Sequence, residues 1–541
     1  MFSLRIDFAI TSRVLLTAAL LIAGFQLAPI TMAQSTTLVK TTAGKLSGVK
    51  SSDGAVISFK GIPYAMPPVN DLRWRAPKPA APWSGVLKAG HFSRSCMQTS
   101  PSSMGPWTEE YMDQNERSED CLYLNVWTEG IAGKRPVLVW IHGGGFDQGS
   151  TSVALYNGEA LARKGIVVVT INYRLGVFGF FAHPELTKES GTHSSGNYGL
   201  QDTLAALEWV KANIAAFGGD PTHVTIGGQS AGAIAVHALI ASPLAKGLFR
   251  GAIAQSGSTI ADLLHSLADA EKDGVKFQQT KGVGSLKELR AMPVYQLMAQ
   301  VEGAPFQWFP VVDGFLLPDT VSAMIAQGNQ NDVAMLTGWC ADEGSIDPKY
   351  GKLTPEEFDR EVRRPSVAGP ASFFGLTPAG DLADEFLKLY PASTPSKSQI
   401  DSARAENMVS TFLWAKHRAA HSKTPVYTYL WDHPLPGPKR DLYRVFHSTE
   451  LPYVFNSLAS VKRPWEPADY TIAEKTTSYW ANFVKTGNPN GDGLANWPPF
   501  DGDTPVTMEL GDRFEVQPIA DAAQVKLLET ILMRAVRSTK Q

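Results

Sequence analysis

A short apolar strand, a glycine-flanked serine and a helix-forming run follow one another without a break near the middle of the chain. Residues His223–Ile226 (HVTI) precede Gly228–Gly232 (GQSAG), and the run AIAVHALIA begins directly afterwards. The serine therefore lies in a tight turn between strand and helix, where the flanking side chains must be small. Such a turn places the Ser230 hydroxyl at a helix N-terminus, where N–H groups and the helix dipole favour developing negative charge. The pattern predicts a nucleophile elbow.

The order of strand-like and helix-like segments predicts a mostly parallel sheet. Three further runs are rich in Val and Ile and end at turn residues, namely Pro136–Ile141, Ile166–Tyr173 and Phe249–Ala254. In Gly199–Phe217 the apolar residues recur at steps of three and four, which indicates an amphipathic helix. Strand, helix and strand in this order are typical of α/β proteins with helices on both faces of the sheet. We also expect a small antiparallel edge at residues 39–64 and a last helix at 520–536.

A second glycine-rich turn offers hydrogen-bond donors. Residues His142–Phe146 (HGGGF) follow the strand at 136–141, and glycines let the backbone turn its N–H groups inward with no Cβ in the way. We predict that the N–H groups of Gly144, Gly145 and Ala231 form an oxyanion hole. The alternative is a phosphate-binding loop, but the segment lacks the Lys-Ser/Thr pair of a P-loop and the spacing of a dinucleotide fingerprint.

A serine nucleophile of this kind needs an acid and a histidine, which follow it in that order along the chain. His447, in a loop-like stretch near the end of the sheet region, is slightly favoured as the base over His433. Asp342 and Glu343 are adjacent in a loop after an apolar run, and the residues alone do not separate them.

Ten motifs spread over most of the chain form one set. They are FKGIPYAMPPV at 59–69, SEDCLYLNVW at 118–127, HGGGF at 142–146, NYRLGVFGF at 172–180, GNYGLQDTLAALEWV at 196–210, GDPTHVTIGGQSAG at 219–232, AQSGS at 254–258, DEGS at 342–345, FHSTELPYVF at 446–455 and NFVKTGNPNGDG at 482–493. Together they resemble the type B carboxylesterases, the family of acetylcholinesterase and the bacterial para-nitrobenzyl esterases. The resemblance implies an α/β-hydrolase fold and a serine hydrolase that cleaves carboxylic esters through an acyl-enzyme.

The resemblance also assigns roles that the residues alone left open. It implies that Glu343 is the acid and His447 the base for Ser230. It makes Ser256 a hydrogen-bonding partner of the acid. Neither a cofactor nor a metal is implied. Some members of the family are adhesion proteins without the nucleophile, and a non-catalytic binding protein, an amidase and a lipase are the alternatives to an esterase.

Three cysteines and two closely spaced histidines need a separate interpretation. The resemblance implies a disulfide between Cys96 and Cys121, which bracket a polar segment, and leaves Cys340 as a buried free thiol. His417 and His421 are four residues apart in a helical stretch, but without a third ligand they do not indicate a metal site.

Aromatic and basic residues suggest two ideas about the substrate. Ala304, Phe306 and Trp308 lie where family members place acyl-pocket residues, and the small Ala304 predicts room for a medium or bulky acyl group. Arg444 lies three residues before His447, and its positive charge predicts a preference for anionic esters. An example is a polycarboxylate ester such as the tricarballylic side chains of fumonisin, which bacterial fumonisin esterases of this family cut.

The N-terminus predicts export. Arg5 and Arg13 precede or flank an uncharged run at Val14–Phe25, and small residues follow at Thr31–Ala33. These are the parts of a secretory signal peptide, predicted at residues 1–33 ahead of one large domain at 34–541. The run is too short for a stable membrane anchor. A net charge of −3 without a basic run excludes a typical nucleic-acid-binding protein, so the expected partner is a small ester substrate.

Overall fold

Seven parallel strands form the centre of the main sheet in a computed structural model, which describes residues 36–99, 105–258, 260, 264–299, 306–365 and 377–538. The predicted signal peptide and Ala304 lie outside these residues. The described residues from Thr36 onward form one compact unit.

The strands alternate with helices along most of the described chain. The strands are β1 (Thr36–Lys40), β2 (Lys45–Lys50), β3 (Ile57–Pro63), β4 (Val86–Lys88), β5 (Ser95–Cys96), β6 (Arg117–Ser118), β7 (Tyr123–Thr128), β8 (Arg135–Ile141), β9 (Val167–Ile171), β10 (Gly219–Gln229), β11 (Gly251–Gln255), β12 (His265–Ser266), β13 (Val311–Val312), β14 (Ala334–Cys340), β15 (Val426–Asp432), β16 (Val506–Gly511) and β17 (Phe514–Pro518). The α-helices are α1 (Glu159–Ala162), α2 (Gly176–Phe180), α3 (Pro184–Glu189), α4 (Tyr198–Asn213), α5 (Ala231–Ala241), α6 (Leu267–Thr280), α7 (Leu286–Ala291), α8 (Val294–Met298), α9 (Val321–Ala326), α10 (Pro355–Arg363), α11 (Ala383–Leu389), α12 (Pro395–Ala419), α13 (Arg440–Tyr443), α14 (Leu451–Val454), α15 (Pro467–Thr486) and α16 (Ala522–Ser538).

The main sheet is parallel in the middle and antiparallel at both ends. Its strand order is β1-β2-β3-β7-β9-β8-β10-β11-β14-β15-β16-β17, and β4 pairs with β2. Every pairing from β9 to β16 is parallel, whereas β1, β2, β3 and β7 form the antiparallel edge and β17 closes the other end. The mostly parallel sheet and the antiparallel edge near residues 39–64 confirm the prediction from sequence.

Apolar side chains of the central strands pack against helices on both faces of the sheet. In β8, Val137 and Val139 belong to one buried cluster, while Leu138 and Trp140 belong to the other. The first cluster also contains residues of α4 and α5, and the second contains residues of α15 and α16. Burial on both faces explains why these strands are continuous Val- and Ile-rich runs instead of alternating ones.

The predicted strands and helices lie where expected, apart from the start of β10 and the end of the helix predicted at 199–217. Strand β10 begins at Gly219, before the predicted start, because Gly219 pairs with Arg135 across an irregularity in the register. The predicted helix at 199–217 is α4 followed by a 3-10 turn at Ile214–Phe217. It ends at Gly218, which has φ 76° and where a Cβ would lie 2.3 Å from the Gly130 carbonyl oxygen.

Candidate active site

The carboxyl ends of four parallel strands bring the predicted site residues to one edge of the sheet. The glycine loop follows β8, Ser230 follows β10, Ser256 follows β11 and Glu343 lies three residues beyond β14. In open α/β sheets, ligands bind in the crevice outside the carboxyl ends of the strands. Each side chain is therefore placed by a rigid strand, although the residues are far apart in sequence.

Ser230 occupies the strained turn that the sequence predicts. Its backbone has φ 58° and ψ −123°, and its N–H donates to the Gln255 carbonyl oxygen at 2.9 Å. A Cβ on Gly232 would lie 2.1 Å from the Ile141 carbonyl oxygen, and one on Gly228 would lie 2.5 Å from the Gly232 backbone. Because distances below 3.0 Å are prohibitive for a Cβ, both flanking positions require glycine.

The glycine loop packs directly against this turn. A Cβ on Gly143 would lie 3.2 Å from the Ser230 Cβ, so the two segments are in contact. Gly144 and Gly145 have φ of 111° and 65°, and the Gly144 carbonyl accepts from the Gln148 N–H at 3.0 Å. Among the described residues, the N–H groups of Gly144, Gly145 and Ala231 donate to no carbonyl oxygen in a turn, loop or cap.

His447 and Glu343 form a buried hydrogen-bonded pair. His447 Nδ1 contacts Glu343 Oε2, and Glu343 Oε1 accepts from Ser256 Oγ at 2.6 Å and from the Cys340 N–H at 2.7 Å. All four residues are buried. Ser256 and the Cys340 N–H thus hold one oxygen of the Glu343 carboxylate, and the other oxygen orients the His447 imidazole.

The rival acid and the rival base lie in other environments. Asp342 Oδ1 is 3.2 Å from Arg444 Nε and 3.3 Å from the Tyr350 hydroxyl. Burial raises the pKa of Asp342, and the neighbouring Arg404 and Arg444 cations oppose that rise. His433 is engaged at both ring nitrogens by carboxylates, Nδ1 by Asp512 at 2.6 Å and Nε2 by Asp469 at 3.0 Å.

Gln229 is a site residue that the sequence reasoning missed. Its side-chain nitrogen lies 3.0 Å from His447 Nε2 and 3.0 Å from Ser448 Oγ. The residue before the serine is the variable position of the motif, so its side chain carries no pattern. Only the fold shows that it reaches a histidine 218 residues away.

A second buried polar chain lies behind the acid. Cys340 Sγ is 3.0 Å from Glu450 Oε2, Gln255 Nε2 donates to Glu450 Oε1 at 2.9 Å, and Trp480 Nε1 donates to Gln255 at 3.0 Å. Burial raises the pKa of both Glu450 and the Cys340 thiol. Cys340 is therefore a buried, protonated free thiol, and Glu450 and Gln255 are partners that the sequence did not reveal.

Two aromatic residues between the disulfide-forming cysteines contact the loop that carries His447. Cys96 and Cys121 form the disulfide that the resemblance implies. Within this loop, the Trp107 ring stands edge-on to the His447 ring at 6.3 Å, and the Tyr111 hydroxyl donates to the Ser448 carbonyl at 3.1 Å. The contact of Trp107 with His447 could not be predicted from local sequence.

The predicted substrate-pocket residues are separated in the structure. Phe306 and Trp308 stack with 5.6 Å between ring centroids and line a cavity of about 410 Å³. Phe309 also lines the cavity, and its ring lies 5.6 Å from that of Phe146 in the glycine loop. Arg444 instead pairs with Asp342, and its side chain is 45% exposed.

In the described part of the chain, no cluster of three or more His, Cys, Asp or Glu side chains is arranged to hold a metal ion. None of the helices described there combines the length and the apolar character needed to cross a membrane.

Known proteins are similar to this chain over most of its length. The sequence profile of the carboxylesterase family matches residues 35–528. Fumonisin B1 esterase of Sphingopyxis macrogoltabida is 34% identical over 484 residues, which cover 85% of this chain and 84% of that protein. Para-nitrobenzyl esterase of Bacillus subtilis (strain 168) is 36% identical over 505 residues, covering 89% of this chain and 96% of that protein.

A human protein and a solved structure are also similar to this chain. Cocaine esterase of Homo sapiens is 34% identical over 483 residues, covering 85% of this chain and 84% of the relative. A structure of PNB esterase, at 32% identity, gives a TM-score of 0.76 and covers 91% of this chain and 99% of that one. The protein has the α/β-hydrolase fold and is a carboxylic ester hydrolase. The chain belongs to the carboxylesterase family.

Proposed function

We propose that Ser230, His447 and Glu343 are the catalytic triad of a serine esterase. The observation that carries this proposal is the buried pairing of His447 Nδ1 with Glu343, whose second oxygen is held by Ser256. A carboxylate at Nδ1 leaves Nε2 as the basic atom of a neutral imidazole, on the side of the ring that faces the serine turn through Gln229. That is the arrangement that activates a serine hydroxyl.

The mechanism is two-step acyl transfer. His447 Nε2 takes the Ser230 proton while Oγ attacks the ester carbonyl carbon, and the N–H groups of Gly144, Gly145 and Ala231 stabilise the tetrahedral oxyanion. The intermediate expels the alcohol, which receives the proton from His447. Water, deprotonated by the same Nε2, then attacks the acyl-enzyme and releases the acid and free Ser230. Glu343 maintains the tautomer and stabilises the imidazolium.

The test follows hydrolysis of para-nitrophenyl esters from acetyl to long-chain acyl, with a Ser230→Ala variant as the matched control. We expect a burst of nitrophenol equal to the enzyme concentration in the parent and no burst in the variant. A parent that binds these esters without cleaving them would refute the mechanism and support the adhesion-type alternative. Anilide and long-chain triglyceride substrates separate an amidase or a lipase from an esterase.

The substrate we propose is a medium or bulky ester. Support comes from the cavity of about 410 Å³ beside Phe306 and Trp308, which is within the range of small-molecule sites. We expect Phe306→Ala to shift the preferred acyl chain to a longer one, whereas substitution of the exposed Tyr295 serves as a control for aromatic loss. An unchanged chain-length preference in Phe306→Ala would place the acyl group elsewhere.

A polycarboxylate ester is a second candidate, and the relative named fumonisin B1 esterase favours it. The salt bridge between Arg444 and buried Asp342 reduces the charge that Arg444 offers to a substrate. Lys276 is a further cation, with its Nζ 6.0 Å from the centre of the Phe306 ring at the cavity. Matched neutral and carboxylated esters, compared across salt concentrations in the parent, Arg444→Gln and Lys276→Gln, test this candidate. Equal turnover of both ester types at low salt would exclude it.

We propose that residues 1–33 direct export and that residues 34–541 are the mature domain. The disulfide between Cys96 and Cys121 supports an oxidising destination. Mass spectrometry of the N-terminus after expression in a secreting host tests the proposal. A mature protein that still begins at Met1 would contradict it.

A further inference from the structure

The Gln229 carboxamide contacts the candidate base and lies next to the glycine loop. Its nitrogen is 3.0 Å from His447 Nε2 and 3.0 Å from Ser448 Oγ. A Cβ added to Gly143 would lie 3.0 Å from the Gln229 side-chain oxygen and 3.2 Å from the Ser230 Cβ. Gln229 is 2% exposed, so its amide is held without competition from bulk solvent.

The hydrogen-bonding roles follow from the partner at the other ring nitrogen. Glu343 accepts from His447 Nδ1, so Nε2 of the neutral imidazole carries a lone pair and needs a donor. A carboxamide nitrogen carries two hydrogens, enough for Nε2 and for Ser448 Oγ together. The amide is therefore matched to the unprotonated form of His447. If Nε2 were protonated, its N–H would face the N–H of Gln229, and the two donors could not form a hydrogen bond.

We propose that Gln229 is a positioning residue that donates an N–H to His447 Nε2 and so favours the free-base form of the imidazole. The proposal rests on the proposed function, in which that form accepts the proton of Ser230. Glu343 acts in the opposite direction, because a carboxylate at Nδ1 favours the imidazolium. The neutral amide at Nε2 offsets this attraction in the resting site. Because Nε2 has one lone pair, the amide must leave it before the Ser230 hydroxyl can donate there.

Several ionisable side chains near this part of the site add little charge to this balance. Burial raises the pKa of Glu450, of the Cys340 thiol and of the Tyr111 hydroxyl, which favours their uncharged forms. On the same loop as His447, the charge of Arg444 is paired with Asp342. The Trp107 ring, which stands edge-on to the imidazole, carries no charge.

The test compares pH profiles of kcat/KM for the parent, Gln229→Glu and Gln229→Met. In Gln229→Glu, a carboxylate beside Nε2 stabilises the imidazolium, and we expect the midpoint of the acid limb to move up by about one pH unit or more. In Gln229→Met, both amide N–H donors and the amide oxygen are lost and no charge is added, and we expect the midpoint to move up by about half a unit. Gln279→Glu, on an exposed position of α6, adds the same charge elsewhere and should leave the midpoint unchanged.

Each outcome has a distinct meaning. Lower kcat with an unmoved acid limb in both Gln229 variants would show a merely structural role and overturn the inference. An inactive parent would instead refute the proposed function. Circular dichroism and urea unfolding check that the variants fold. If the buried charge of Gln229→Glu prevents folding, the Gln229→Met profile decides alone.

Discussion

Glu343 and Asp342 are adjacent in sequence, yet their carboxylates face different partners. Glu343 contacts His447 and Ser256, whereas Asp342 is tied to Arg444 and Tyr350. Both residues follow β14, and Glu343 begins a 3-10 turn at Glu343–Ile346 while Asp342 precedes it, so the two side chains leave the backbone in different directions. Single substitutions at the two positions therefore test which carboxylate assists the proposed base.

We predict that Glu343→Gln lowers kcat by about 10⁴, because an amide at Nδ1 stabilises the wrong imidazole tautomer. Asp342→Asn is the matched control, and we expect it to lose less than about tenfold since its carboxylate does not contact His447. Steady-state kinetics with a para-nitrophenyl ester measure both. Equal losses in the two variants would contradict the assignment of Glu343.

The sequence predicted those site residues that belong to local patterns. The serine turn and the glycine loop have strict backbone requirements, so their motifs show in the sequence itself. Gln229 and Trp107 have no such requirement, because they reach His447 only through the assembled fold. The choice between Asp342 and Glu343 came from the family resemblance, since both residues suit the same loop.

At the scale of elements, the serine turn is fixed by the strand next to it. Strand β8 supplies the Ile141 carbonyl oxygen that leaves no room for a Cβ at Gly232. Helix α5 begins directly after Ser230, so the turn cannot widen without moving the helix. Continuous Val- and Ile-rich runs predicted β8 and β9 well, whereas the polar start of β10 depends on pairing with Arg135, a contact that local sequence does not encode.

We predict that Gly232→Ala destabilises the protein by about 3 kcal/mol, because the new Cβ meets backbone that cannot move aside cheaply. Gly247→Ala is the control. Gly247 has φ 75° and open space around it, so only a left-handed backbone cost of about 1 kcal/mol applies. Urea unfolding compares the two. A Gly232→Ala protein as stable as Gly247→Ala would show that the turn adapts more easily than its geometry indicates.

The stability of the whole molecule is coupled to pH through a buried carboxyl group outside the site. Glu406 on α12 accepts hydrogen bonds from the Thr377 N–H and hydroxyl, and burial raises its pKa to about 7 from the ordinary 4.5. The folded state therefore binds this proton more tightly than the unfolded state does. The resulting stabilisation is complete below pH 4.5 and is lost as the pH rises through 7.

We predict that Glu406→Gln removes this loss, because the amide stays neutral. Relative to the parent, its free energy of unfolding should rise by about 3 kcal/mol between pH 4.5 and pH 8. Glu385→Gln, on an exposed position of α11, is the control and should show no such trend. Urea unfolding at several pH values gives the comparison. Parallel curves for the parent and Glu406→Gln would show that Glu406 is ionised in the folded protein at little cost.

The contacts that join the site span long stretches of chain: 87 residues between Ser256 and Glu343, 104 between Glu343 and His447, and 218 between Gln229 and His447. Such non-local contacts form late and slowly during folding. In the proposed mechanism, a nascent chain that includes Ser230 but not His447 lacks its base, so it should not act on cellular esters during synthesis. Ester hydrolysis should consequently recover during refolding only after β10, β11 and β14 have paired. The recovery of activity therefore reports when the last stage of folding is complete.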